Sequence, residues 1–362
     1  MRPDVVIRSL ARNSVTIKPL AKQFLCPDQS LVRFAIGKNE ESLALNRIVP
    51  LQGLIDDYAR EGSYWSGIPL LKTSAVCKEA IVANCSTSIS PVAVNDHLRS
   101  SGLRRVIGFH ELVLASEGRL AWPAFVQSFR NEISTQCEAW QRIYETLADS
   151  ESRKTFNDVI RYRYAADPEY MQDYRVRLQE QYFEDFMGFK NEVFVDVGGF
   201  DGDTSEIFAS RYADYERILF FEPSARNMSA ARLRLAKVER IYYYSIGLSD
   251  RKETLRFNQD AGSASYVTRE GDSVIEVDTL DSLVKHPVSF IKMDLEGWEL
   301  RALYGASNHI MHERPKLAIA VYHDSSDFRL IFEFIESICL NYKMYLRHYT
   351  QGWSETIMFF KP

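Results

Sequence analysis

NEVFVDVGGFDGDTSEIFASRYADYERILFFEP, residues 191–223, is the stretch that decides the fold. It begins with an almost unbroken apolar run, Val193–Val197, interrupted only by Asp196, which is the composition of a strand buried on both faces. The run opens into the glycine turn Gly198-Gly199-Phe200-Asp201-Gly202-Asp203, a helix-compatible segment follows, and a second apolar strand, RILFFEP, closes on Glu222. A strand that leads through a glycine turn into a helix offers backbone N–H groups to a ligand. An acid at the end of the next strand can hydrogen-bond two neighbouring ribose hydroxyls. The arrangement predicts a nucleoside site on a parallel α/β sheet, against the plainer alternative of a structural turn.

The spacing narrows the nucleoside. A dinucleotide fingerprint is G-x-G-x-x-G, its glycines close together because backbone must touch a pyrophosphate. Here the order is Asp196-x-Gly198-x-x-x-Gly202, with Phe200 where a central glycine would stand, so the turn is too bulky for a diphosphate. S-adenosylmethionine has none. Glu222 lies twenty residues beyond Gly202, the usual interval to a ribose-binding acid.

Working outward, strand-like runs continue at regular intervals: IYYYSIGLSD, SFIKMDLEG and KLAIAVYHD, with helix-compatible sequence between them. The last two, YKMYLRHYT and ETIMFFKP, are separated only by Gln351-Gly352-Trp353-Ser354, too little chain for a parallel crossover. They therefore form an antiparallel hairpin, and the C-terminal half is a doubly wound sheet whose reversed last strand resembles methyltransferase sheets. Ligands of such sheets lie beyond the carboxyl ends of the strands. Those ends carry Asp196, Glu222, Ile246-Gly247, Asp294 with Glu296, His323-Asp324 and His348. Asp294 reads as a contact to the cofactor's methionyl amine or to substrate, or as a cap for the helix EGWELRAL. His323 and His348 read as candidates for the base that takes a hydroxyl proton, against the plainer reading of structural histidines. A rival chemistry would have Asp294, Glu296, His323, His348 and Glu355 hold a divalent metal. No H-x-x-E or H-E-x-x-H spacing supports it, so the reading without metal is preferred.

Upstream, VRFAIG, GLIDDYA, IPLL, AIVAN and RRVIGF mark a small Rossmann-like α/β domain over residues 31–118, after an N-terminal tail or edge element over 1–30. Gly37-Lys38-Asn39 and Asp56-Asp57 loosely echo a nucleotide site without the further glycines. Residues 119–188 read as a helical connector. Phe125, Phe129, Ile133, Trp140, Tyr144 and Leu147 draw one stripe along a long helix, a second helix follows Asp149-Ser150, and Asp167-Pro168 starts a third. The remaining residues, 189–362, form the catalytic domain.

A formal charge of −5 argues against nucleic acid as partner and leaves a carbohydrate or small-molecule acceptor. Five scattered cysteines with neither C-x-x-C pairs nor zinc spacing read as reduced thiols. With no secretory apolar core near the start and no membrane span, they point to the cytoplasm. A homo-oligomer is left open.

Together FVDVGGFDGDTS, FFEP, SIGLSD, VDTLDSL, FIKMDLEGWELRALYGA and RPKLAIAVYH resemble the FkbM family of S-adenosylmethionine-dependent methyltransferases, over roughly Asn191 to Phe360. The resemblance implies a class I methyltransferase fold and O-methylation, often of sugars in glycans, lipopolysaccharide or secondary metabolites. It implies a cofactor turn of Asp196, Gly198, Gly199, Phe200, Gly202, Asp203 and Thr204, with Glu222-Pro223 at the ribose and Ile246 and Gly247 flanking adenine. Asp294 and Glu296 fall in the family's D-x-E-G signature. Gly199 stands where the family commonly has alanine, and Gly262-Ser263-Ala264-Ser265 resembles a loop that lines the acceptor or merely turns. Two other readings stand beside this one. The first is a cofactor-binding assembly protein in glycan synthesis without turnover. The second is an NAD(P)-dependent oxidoreductase using the unit around Gly37 and Asp56.

Overall fold

The computed structural model describes residues 17–257, 273–339 and 341–362. The chain forms two compact units. One runs to Gln141 and takes in Phe156–Val176 and Thr350–Ser354; the other comprises Arg142–Thr155, Arg177–Tyr349 and Glu355–Pro362. The segment 119–188, expected as a connector, is thus shared between them.

The N-terminal unit holds β1 (Arg33–Ile36), β2 (Gly53–Ile55), β3 (Tyr64–Trp65), β4 (Ile68–Leu71), β5 (Ile81–Asn84) and β6 (Val106–Gly108) in the order β3-β4-β2-β1-β5-β6. All pairs are parallel except β3 with β4. The five runs read as strands are all present. Within the expected tail, Pro19–Leu25 is a helix, α1, because Ala21, Phe24 and Leu25 fall on one face and enter the core. The expected long helix is two, α5 (Ala124–Thr135) and α6 (Cys137–Thr146); α2 (Glu40–Ile48), α3 (Pro91–Ser100) and α4 (Phe109–Ala115) precede them. The Thr135 hydroxyl donates back to the Asn131 and Glu132 carbonyls, and the helix ends there. The stripe survives the break, since Phe129 meets Trp140 edge-on at 5.2 Å.

Gly37 turns at φ +115°, and a Cβ there would stand 3.0 Å from the Cys85 carbonyl carbon, so the chain leaving β1 passes that leaving β5 too closely for any other residue. The crevice at their ends is filled by the chain itself. Gln351 Oε1 accepts the Ala93 N–H in the first turn of α3 at 2.9 Å, Trp353 N–H donates to Thr87 O at 3.1 Å, and Ser354 Oγ donates to Ser88 O at 2.9 Å. Asp56 is paired with Lys38 at 2.7 Å. The helix behind Gly37, α2, has its Ser42 N–H taken by Asn39 Oδ1 at 3.1 Å, so the acid and that helix terminus are both engaged within the chain.

The C-terminal unit is built on β7 (Val193–Val197), β8 (Arg217–Phe221), β9 (Ile241–Tyr244), β13 (Phe290–Met293), β14 (Lys316–Ala320), β15 (Lys343–His348) and β16 (Thr356–Lys361). Their order is β15-β16-β14-β13-β7-β8-β9, with β16 antiparallel to both neighbours. This is the doubly wound sheet with a reversed last strand that the sequence predicts. IYYYSIGLSD, expected as one strand, leaves the sheet after Tyr244. Gly247–Leu248 (β10) joins β11 (Glu253–Phe257) and β12 (Ser273–Asp278) in a small second sheet. Beneath β7 lies an aromatic core, with Phe194 4.7 Å from Phe290 and 4.4 Å from Phe208 by ring centres. Among the described residues no helix is long and apolar enough to cross a membrane. The Gly262–Ser265 loop lies outside the described residues.

Candidate active site

The glycine turn is braced from all sides. Gly198 and Gly199 both donate to Phe221 O at 3.1 Å, Gly202 donates to Gly199 O at 2.9 Å, and Phe200 N–H donates to Glu222 Oε2 at 3.1 Å. Those four amides are spent on holding the turn's shape, not free for a ligand as the sequence reading expects. Gly198 sits at φ +71°, where a Cβ would stand 2.0 Å from Asp294 O. A Cβ on Gly199 would stand 2.2 Å from the Phe220 ring, so the alanine common at this place fits only if Phe220 moves. Phe200 itself is left-handed at φ +49°, a strained setting for a bulky residue and a mark of a functional turn.

Asp196, expected to face the cofactor, is fully enclosed. Ser205 Oγ donates to its Oδ2 at 2.6 Å, and Lys292 Nζ lies 3.2 Å from its Oδ1. Lys292 also donates to Gly198 O at 2.8 Å. Burial alone would lower the Lys292 ammonium, but Asp196 and Asp294 outweigh it and hold the pKa above its ordinary value. The buried pair therefore supports the turn from inside the sheet. Only the lysine's place in the apolar run FIKM, β13, hinted at this. Asp203 and Thr204 open α8 (Asp203–Arg211) behind Gly202, which caps it at φ +88°.

Glu222 ends β8 beside the turn and is 5% exposed. Its Oε2 accepts Phe200 N–H and its Oε1 accepts Ser224 N–H at 2.8 Å and, at a long 3.4 Å, the Asn227 side-chain amide, so Oε2 keeps a lone pair and Oε1 gains one where Asn227 yields to a ligand. Burial raises its pKa to about 7, against the pull of those two amides. Half-buried Phe200, Pro223 and Ile246 lie at the same strand ends, with Gly247 close behind Pro223. A carboxylate with spare acceptor capacity among apolar rim residues fits a nucleoside's sugar and base.

At the next two strand ends an acid cluster surrounds one imidazole. Asp294, after β13, accepts Tyr182 OH at 2.5 Å and Tyr322 OH at 3.2 Å, both on Oδ2. His323, after β14, has Nε2 3.4 Å from Asp294 Oδ1 and from Glu296 Oε2, and Nδ1 2.9 Å from Glu299 Oε1. Burial opposes charge on the imidazole, but Glu299 first, then Asp294 and Glu296, raise its pKa to about 10. With no metal beside it, an imidazole so held keeps its proton at neutral pH and does not serve as the base. Burial lifts Glu296 to about 7 and, with Asp294, lifts Glu355 to about 7. Gln181 donates to Glu355 at 2.8 Å. Glu296 takes φ +52°, a backbone setting that turns it off the helix that follows, α11 (Glu299–Tyr304). The second expected histidine is placed differently. His348 is 1% exposed inside the hairpin, with Nδ1 2.9 Å from Thr356 Oγ1. Tyr182, Gln181 and Glu299 escaped the sequence reading. The first two lie in irregular chain before β7 and carry no periodic signal.

Residues 196–344 match the family model described as the methyltransferase FkbM domain, so over that stretch the expected resemblance is found. Among solved structures, the methyltransferase FkbM of Methylobacillus flagellatus KT superposes with a TM-score of 0.75 at 23% identity, covering 98% of this chain and 97% of that one. Weaker likenesses span about half the chain. An rRNA methylase from Streptococcus thermophilus has a TM-score of 0.34 at 14% identity and covers 49% of this chain and 92% of that one. Aeropyrum pernix fibrillarin in complex with natively bound S-adenosyl-L-methionine has a TM-score of 0.33 at 11% identity, covering 51% and 71%. No curated protein matched the chain. The fold is that of class I methyltransferases, with a further α/β unit before it.

Proposed function

We propose that the chain is an S-adenosylmethionine-dependent O-methyltransferase whose acceptor is a sugar hydroxyl of a glycan, a lipopolysaccharide precursor or a glycosylated secondary metabolite. The observation that carries this reading is Glu222, set beside the braced glycine turn at the end of β8, with β7 between it and the Asp294 cluster at the end of β13. When bound, the cofactor supplies an electrophilic methyl group on a sulfonium. Glu222 accepts the two ribose hydroxyls, the turn from Gly198 to Gly202 fixes the cofactor's height, and Pro223, Ile246 and Gly247 bound the base. Asp294, oriented by Tyr182 and Tyr322, holds the acceptor or the methionyl amine. Glu296, at 28% the most exposed member of the imidazole cluster, takes the acceptor's proton, and His323 balances the charge. In-line positioning supplies most of the remaining rate.

The acceptor class draws support from the net charge of −5, which disfavours a nucleic-acid backbone. All five cysteines are free thiols, which supports a reducing cytoplasm. Incubation with methyl-labelled cofactor and separate pools of polysaccharide, nucleotide sugars and small metabolites tests the reading. Label in a sugar pool that base does not hydrolyse as an ester supports it. Label only in protein or nucleic acid overturns it. Tight cofactor binding with no transfer to any pool favours the assembly-protein reading.

A further inference from the structure

We infer that Asp294, Glu299 and His323 form a binding site for one divalent metal ion of the manganese or zinc kind. The three come from separate elements, the end of β13, the first turn of α11 and the end of β14, yet one ligand atom from each lies within 4.8 Å of the others. Each carboxylate is held mainly through one oxygen. Asp294 is held at Oδ2 by Tyr182 at 2.5 Å and Tyr322 at 3.2 Å, while its Oδ1 faces the imidazole and keeps only a long 3.4 Å contact to the Tyr322 hydroxyl. Glu299 is held at Oε1 by the Leu295 N–H at 2.7 Å, while its Oε2 is enclosed without a hydrogen-bond partner on a residue that is 1% exposed. A bare carboxylate oxygen so deep in the protein calls for a cation.

His323 does not supply that cation well as an imidazolium. Its side chain is 8% exposed and neither ring nitrogen has a hydrogen-bond partner. Nε2 stops 3.4 Å from both neighbouring carboxylates, whereas a charge-assisted N–H···O bond spans about 2.7–2.9 Å. Nδ1 reaches Glu299 at 2.9 Å but off the line of its N–H. A divalent ion bonded to one ring nitrogen and to carboxylate oxygen at roughly 2.0–2.2 Å closes the gap on that side, and the carboxylate facing the other nitrogen joins it once its side chain turns toward the ion. One imidazole with two carboxylates is the donor set of borderline and hard ions, and no thiolate takes part to select a soft one. Glu296 stays beside the ion as a free carboxylate. On the methyl-transfer reading, and resting on it, the ion's open positions take the acceptor hydroxyl and a neighbouring oxygen, which lowers the hydroxyl's pKa.

The test uses the full chain after chelator treatment and titrates MnCl2 and, separately, ZnCl2 by calorimetry, with S-adenosylhomocysteine binding measured on the same preparation. One ion per chain at micromolar Kd is expected, weakened about 100-fold or more by His323→Ala or Glu299→Gln. Both variants should keep S-adenosylhomocysteine affinity within about threefold, since neither residue touches the nucleoside site. Pulsed EPR of the parent protein with Mn2+ is a second readout that needs no variant, and nitrogen coupling from a bound imidazole is expected. Absence of binding by either ion at millimolar concentration, unchanged affinity in folded variants, or Mn2+ without nitrogen coupling each overturns the site. Failure here with intact S-adenosylhomocysteine binding leaves the methyl-transfer reading standing, and the converse result separates the two the other way.

Discussion

Replacing Glu222 by glutamine should make the ligand-free protein relatively more stable at high pH while destroying its grip on the nucleoside. The Glu222 carboxyl is lifted from 4.5 to about 7 by burial. Between those values the folded state binds more protons than the unfolded one, so stability falls as pH rises through the window and is level above it. At about 1.4 kcal/mol per pH unit the whole window is worth roughly 3 kcal/mol, of which roughly 2 kcal/mol is lost between pH 5.5 and 8.5. Glu222→Gln abolishes that slope. Its single carbonyl can accept from Phe200 or from Ser224 but not from both, a fixed cost of about 1–3 kcal/mol at every pH. Urea unfolding of parent and variant at pH 5.5 and 8.5 should therefore show their difference moving by about 2 kcal/mol in the variant's favour. A difference constant to within about 0.5 kcal/mol would refute the reasoning that Glu222 is buried against its charge. The reason to retain such a residue is the ligand. A carboxylate that must be ionised to accept two hydroxyls takes up the nucleoside more tightly as pH rises toward 7, and binding near neutrality releases a proton.

Other outcomes follow from the same geometry. Lys292→Met leaves the enclosed Asp196 charge unpaired and should cost about 3–5 kcal/mol in urea unfolding, and a loss under about 1 kcal/mol would contradict the pair's supporting role. Gly198→Ala drives a Cβ toward Asp294 O from 2.0 Å at φ +71°, so thermal midpoint and S-adenosylhomocysteine affinity should fall together. Gly352→Ala places a Cβ 2.1 Å from Ser88 O in the N-terminal unit and should destabilise it by about 1–3 kcal/mol, read as faster limited proteolysis before Gln141. Glu296→Gln should lower turnover by about 10²–10⁴-fold at unchanged S-adenosylhomocysteine affinity, and parental turnover would remove it as the base.

What could be read from the sequence was whatever local pattern encodes. Val193–Val197 is apolar but for Asp196 because both faces of β7 are covered, and Gln351–Ser354 is too short for anything but a hairpin, so sheet and reversed strand were legible. Glu222 was legible because strand, turn and helix fix its distance from Gly202. The partners of Asp196 and Asp294 were not, since Lys292 and Tyr182 reach them across 96 and 112 residues of chain. No short window holds both ends of such a contact. The histidines show the same limit from the other side. His323 and His348 follow similar apolar strands, yet three carboxylates meet the first and the second closes inside the hairpin. Which acid would be the base depended on these distant neighbours.

The account stands on a nucleoside gripped by Glu222 at the carboxyl ends of β7 and β8. Calorimetric titration of the parent protein and of Glu222→Gln with S-adenosylhomocysteine measures this directly. Micromolar binding by the parent with proton release near pH 7, and a loss of about 100-fold or more in the variant, is the predicted result. Equal affinity in the two proteins, or no binding by the parent, would contradict it.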